Sequence, residues 1–119
     1  MPRFRRTIPI DDYVLDVLLP DLVGHDHQPA AFLVYLYLYR TAEDQKWKPV
    51  NASLRLLAEG TGLSKSAVQI ALRTLRRREL IQSTSAHRTA TPRHRVLRHW
   101  RQSAPARSKE SRQRKRRPR

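Results

Sequence analysis

After Pro9, apolar side chains recur at Ile10, Tyr13, Val14, Val17 and Leu18, the spacing of one helix face. Asp11 and Asp12 stand where a helix N-terminus favours negative charge, and Pro20 reads as a stop. The pattern therefore predicts a short amphipathic helix over residues 11–19. Leu22 to Gln28, with Gly24 and two histidines among polar residues, reads as a loop. Pro29 then opens PAAFLVYLYLYRTAED, where the alternation from Val34 to Tyr39 fits a strand by period alone. Proline at the first helical position, continuation through Arg40–Asp44 without a turn signal, and length decide for a helix. Such a helix is apolar nearly all round and must bury two faces. One goes against its own domain; the other meets the N-terminal helix or a second copy, making a homodimer through the 29–44 helix and the N-terminal helix.

Residues 45–50 (QKWKPV) predict a loop and a short strand, with Trp47 in the core. From Ser53 the pattern changes. SLRLLAEGTGLSKSAVQIALRTLRRRELI holds two helical stretches separated by Gly60-Thr61-Gly62. Ser53 is placed to cap the first, with Leu54, Leu57 and Ala58 inward; the small Ala58 lets the next helix cross closely. Gly62 falls where the chain must reverse within a few residues, a turn that often needs positive φ, and Leu63 plugs the corner. Ser64 caps the second stretch, whose inward stripe is Val68, Ala71, Leu72 and Leu75. By elimination Lys65, Ser66, Gln69, Ile70, Arg73, Arg76 and Arg77 face outward. Two short strands follow, one from Leu80 to Ser85 and one from Arg93 to Trp100, joined by a polar stretch around residues 86–92. That stretch lacks the glycine of a tight hairpin, so a longer loop is expected.

Together these elements predict a mainly α fold with a small β-hairpin: a winged helix-turn-helix with an extra N-terminal helix. A helix with short polar side chains at its start and arginines along one side suits the major groove, where Arg pairs with guanine and Gln with adenine. Lys65, Ser66, Gln69 and Arg73 are the candidate base readers. Ser64, Arg76, Arg77 and Arg78 are the candidate phosphate holders. Arg88, Arg93 and Arg95 on the wing would lie near the backbone or minor groove.

Charge locates the partner. The 119 residues carry a formal +15, which favours a polyanion. Residues 1–45 net −3 and residues 46–119 net +18, so the second half is the DNA-facing one. The length allows one domain, placed over residues 10–100, with a basic arm over 1–9 and a disordered basic tail over 101–119. The tail would act as a sequence-independent arm on double-stranded DNA.

Other chemistries find little footing. With no cysteine there is neither a disulfide framework nor a thiolate metal site, and the cytoplasm is the expected compartment. His25 and His27 flank Asp26 without a third ligand, so no metal is expected. No apolar run approaches the roughly 20 residues a bilayer requires, and the N-terminus lacks a signal-peptide core, so no membrane is expected either. A Gly-rich phosphate loop and a nucleophile elbow are absent, and the expectation is no cofactor and no enzyme activity.

From Leu57 to Ile81, LAEGTGLSKSAVQIALRTLRRRELI resembles the DNA-binding domain of GntR-type winged-helix regulators. Lys65, Gln69 and Arg73 fall where that family's DNA-contacting residues lie. Glu79 stands where those proteins usually have the Gly that ends the helix. The effector domain of such regulators is missing from these residues, so the likeness implies no small-molecule effector. From Phe4 to Ile81 the chain is also similar, more loosely, to the N-terminal winged-helix domains of phage and plasmid replication initiators of the DnaD and lambda O kinds. Three functions follow: a small transcriptional regulator reading a specific duplex site, an origin-binding replication or plasmid-maintenance protein, and a non-specific architectural DNA binder.

Overall fold

The segment after Pro9 winds wider than an α-helix. In the computed structural model, which describes residues 6–101, Val14–Leu18 and Pro20–His25 form two consecutive π-helical stretches. A backbone N–H here reaches the carbonyl five residues back, as Asp26 does to Asp21 at 2.9 Å. Spaced by four, Val14, Leu18 and Leu22 all turn to the core and are buried. Two expectations are corrected. The helix does not stop at Pro20: Leu19 keeps helical dihedrals with its N–H donating to the Val14 carbonyl, and Pro20 takes the first position of the second stretch. The loop does not begin at Leu22, because burial of that side chain holds the chain helical to His25.

Helix α1, Pro29–Asp44, is a helix and not a strand. It buries Ala31, Phe32, Val34, Tyr35, Leu38, Tyr39 and Ala42. Its buried side chains pack against the N-terminal stretches and against the later helices and sheet, while Leu33 stays exposed. Arg6, in the expected basic arm, lies on the helix end, 2.9 Å from Asp44. Beyond α1 the chain reverses at Lys46 and Trp47, both in the left-handed region, and the Trp47 N–H donates to the Ala42 carbonyl at 2.7 Å. Trp47 is half-buried, edge-on to Tyr39, with the Arg98 guanidinium 3.5 Å above its ring.

Helices α2 (Leu54–Thr61) and α3 (Lys65–Arg77) pack on each other and on α1. Gly60 permits the approach of α2, since a Cβ there would stand 2.5 Å from the Tyr37 ring.

The expected hairpin is a three-stranded antiparallel sheet. Strands β1 (Val50–Asn51), β2 (Ile81–Thr84) and β3 (Arg93–Val96) lie in the order β1-β3-β2. Val50 and Ser83 both pair with His94, and Gln82 pairs with Arg95. The last strand ends at Val96, short of the expected Trp100. A 3₁₀ turn over His99–Arg101 instead lays Trp100 flat on Tyr13, with ring centroids 4.5 Å apart. The Trp100 indole N–H donates to the Asp11 carboxylate at 2.7 Å, and Arg101 grips the same carboxylate at 2.7 and 2.8 Å. Arg101 therefore belongs to the folded unit and not to the tail. The rest of the expected tail, and residues 1–5 of the expected arm, lie outside the described residues.

The result is mainly helical with a small sheet, in the arrangement of a winged helix-turn-helix.

Candidate nucleic-acid interface

Local chemistry sets the angle at which α3 leaves α2. The Ser53 hydroxyl accepts from the Leu56 N–H at 3.1 Å, capping α2. At the other end Gly62 adopts φ 81° and its N–H donates to the Ala58 carbonyl at 2.8 Å, a left-handed turn that a side chain would strain. Leu63 is half-buried against the core in the corner between the helices. The Ser64 hydroxyl then accepts from the Ala67 N–H at 3.1 Å and starts α3. This interaction occupies the Ser64 side chain as a cap.

Along α3 the expected inward stripe of Val68, Ala71, Leu72 and Leu75 is buried, joined by Thr74. Lys65, Ser66, Gln69, Ile70, Arg73, Arg76 and Arg77 are all exposed. At about 100° per residue these seven positions fall within an arc of about 140°. Lys65, Gln69 and Arg73, four apart, form one row along it. Ile70 is 45% exposed among these polar side chains, so the outer face presents one apolar contact point.

Arg78 departs from its two neighbours. It follows Arg77 by a further turn of about 100°, which carries it off the outer arc. Its guanidinium meets Asp26 at 2.8 Å and Asp21 at 2.8 Å, on the N-terminal segment. Those carboxylates push its pKa up, and the Arg78 and His25 hydrogen bonds hold Asp26 below the usual carboxylate range. The helix ends at Arg77, with Arg78 as its cap residue. Glu79 sits at φ 59°, its N–H donates to the Arg76 carbonyl at 3.0 Å, and the Leu80 N–H donates to Leu75 at 2.9 Å. Glu79 thus takes the left-handed conformation that glycine usually supplies.

Arg76 reaches the sheet. It donates to the Ser83 hydroxyl at 3.4 Å, which lies 2.8 Å from His94 Nδ1, and His94 Nε2 lies 3.2 Å from the Ala52 carbonyl. His94 is buried, and burial pushes its pKa below the ordinary histidine value, the Arg76 charge adding to the effect. The neutral ring satisfies both contacts, donating from Nε2 and accepting the Ser83 proton at Nδ1.

The wing residues are split. Arg88 is exposed in the loop between β2 and β3, which the Ser85 hydroxyl orders without a glycine by donating to the His87 carbonyl at 2.8 Å. On β3, His94 and Val96 point into the core, so Arg93 and Arg95 alternate onto the opposite, outward face of the sheet. The fold therefore groups Lys65, Ser66, Gln69, Arg73, Arg76 and Arg77, and sets Arg78, Arg93 and Arg95 apart. The turn angle per residue is the signal that distinguishes Arg78, and strand alternation the one that distinguishes Arg93 and Arg95. Asp21, Asp26, Ser83 and His94 were not anticipated, because their partners lie on other elements.

Residues 28–81 match the model of a family described as a helix-turn-helix domain. The match takes in α1, α2 and α3 and ends at the first residue of β2. No curated protein and no solved structure matches the chain. The match supports a helix-turn-helix DNA-binding domain, and it is coarser than the likeness to GntR-type regulators or to replication initiators.

Proposed function

We propose that this protein is a small transcriptional regulator that reads a specific site on double-stranded DNA by laying α3 in the major groove. The observation that carries the reading is the exposed row of Lys65, Gln69 and Arg73 on a helix whose opposite stripe is buried. Lys65, Ser66, Gln69 and Arg73 read base edges, with Arg73 suited to guanine and Gln69 to adenine. Arg76 and Arg77, at the far end of α3, hold phosphates, and Arg88 approaches the flanking backbone from the wing loop. Ser64 supports this face by capping the helix that presents it. The protein acts in the cytoplasm, on the nucleoid, without cofactor, metal or small-molecule effector.

Selection from a random duplex library with the purified chain tests the reading. A recovered motif whose preference at one or two positions disappears in Gln69→Ala or Arg73→Ala supports it; a pool with no motif refutes specific readout and leaves an architectural DNA binder.

Two copies on a palindrome fit the same reading, because Leu15, Leu19 and Val23 form an exposed apolar row along the N-terminal segment. Sedimentation of a monomer at micromolar concentration, with and without DNA, would exclude this arrangement. A second function, binding an origin repeat in replication, rests on the looser likeness of residues 4–81 to replication initiators. The genomic positions of bound sites, at promoters or inside an origin, separate the two.

A further inference from the structure

The outward face of the sheet carries a polar and cationic surface that the recognition helix does not use. Strand alternation places Arg93 and Arg95 there, and the register sets Asn51 and Thr84 beside Arg93 and Gln82 beside Arg95. All five are exposed. The two arginines stand two residues apart on one strand, so their Cα atoms are separated by about 6.8 Å. At the end of β3 the surface continues into an open groove of about 300 Å³ lined by Trp47, Arg95, Leu97, Arg98 and Arg101. Arg101 is committed to Asp11, but among the described residues no carboxylate pairs with Arg93, Arg95 or Arg98. Arg98 is held in place over the Trp47 ring at the groove wall, near enough to Asp11 for its charge to act on that carboxylate but without an ion pair to it.

This face turns away from α3. Its inner side is the one that meets α3, through the contact of Arg76 with Ser83, and its arginines point the other way.

We propose that Arg93, Arg95 and Arg98 form a second nucleic-acid site that grips a phosphodiester backbone through charge alone, letting one chain hold a second segment of DNA. The amide and hydroxyl groups of Asn51, Gln82 and Thr84 supply further hydrogen bonds to phosphate and sugar. Recognition at this face is independent of sequence, since charge on a flat strand surface reads the backbone and not base edges. The proposal stands apart from the base-reading assignment of α3.

The test uses the full chain and two fluorescent 20-nucleotide probes of random sequence, one duplex and one single-stranded, titrated at several salt concentrations. Arg95→Glu combined with Arg98→Gln should weaken one or both probes at least tenfold and flatten the salt slope by about 2 for duplex, roughly 0.9 per lost contact. Whichever probe is lost identifies the source of the backbone. The same variant should keep its preference among specific duplexes. Conversely, Lys65→Ala, Gln69→Ala and Arg73→Ala combined should abolish sequence preference and leave intact the binding of whichever random-sequence probe the sheet variant loses. Arg95→Glu alone, at an exposed position, serves as the check should Arg98→Gln disturb Trp47. Unchanged affinity and slope in both sheet variants overturns the proposal; loss of preference in the α3 variant together with loss of the same random-sequence probe that the sheet variant loses also overturns it, since one site would then account for everything.

Discussion

The guanidinium of Arg78 lies 2.8 Å from the carboxylate of Asp26, fifty-two residues earlier in the chain. With Asp21 on its other side, it ties the end of α3 to the N-terminal segment. One arginine of the run Arg76-Arg77-Arg78 is thereby spent on the fold while the other two remain on the outer face.

Arg78→Ala should accordingly lower stability, by about 1–3 kcal/mol, because two partly buried carboxylates lose their partner. DNA affinity measured at a temperature where the variant is folded should keep its salt dependence. Arg76→Ala and Arg77→Ala should each reduce the salt slope by about 0.9 and leave stability nearly unchanged. A slope change in Arg78→Ala equal to theirs would return Arg78 to the phosphate contacts.

Base readout makes a different prediction. Gln69→Ala or Arg73→Ala should cost about 1–3 kcal/mol on the selected duplex and little on random DNA, narrowing the gap between them. Titration of each variant against single-base variants of the site gives the position each side chain reads. Equal losses on all sequences would show that these residues hold backbone only.

Glu79 offers a test of the helix end. A side chain in the left-handed region is strained by roughly 1–2 kcal/mol, so Glu79→Gly should stabilise the protein by about 1 kcal/mol in urea unfolding. Gly62→Ala, at φ 81°, should destabilise it by a similar amount.

The burial of His94 gives stability a pH dependence. Its folded pKa lies below the ordinary value, so as pH falls below about 6.5 the unfolded chain takes up the proton first. Stability is therefore complete above that pH and declines as the pH drops through the folded value. Urea unfolding at pH 7.5 and pH 5 should show the loss in the wild type and less of it in His94→Gln, whose amide can meet both Ser83 and Ala52. An identical loss in the two proteins would assign the effect elsewhere.

Asp11 acts in a lower window. The Arg101 and Trp100 hydrogen bonds, working against burial, hold its pKa at about 2. Its contribution is present above the ordinary carboxylate range and disappears as pH falls through about 2. Asp11→Ala should destabilise at neutral pH by about 1–3 kcal/mol, because the half-buried Trp100 indole N–H loses its acceptor; Asp11→Asn should lose less.

The helix-turn-helix was legible in the sequence because its rules are local. Ser53, Gly62 and Ser64 act within three or four residues, and the apolar stripe of α3 repeats at the helical period. What escaped depends on distant partners or on conformations that composition disguises. Pro20 reads as a stop although it begins a new stretch. Trp100 continues a strand pattern yet stacks on Tyr13, nearly ninety residues away, and Asp11 looks like helix-start charge while its carboxylate serves Trp100 and Arg101. The row of Lys65, Gln69 and Arg73 followed from periodicity alone, whereas the separation of Arg93 and Arg95 from it required knowing which side of the sheet faces α3.

The clasp of Trp100 and Arg101 on Asp11 also bears on how the fold can be re-cut. It holds Asp11 and Arg101, near the two ends of the described residues, side by side, so a short linker between those points would bridge little space. Fresh termini opened in the wing loop would then yield a circular permutant with the same interior and the same exposed face on α3.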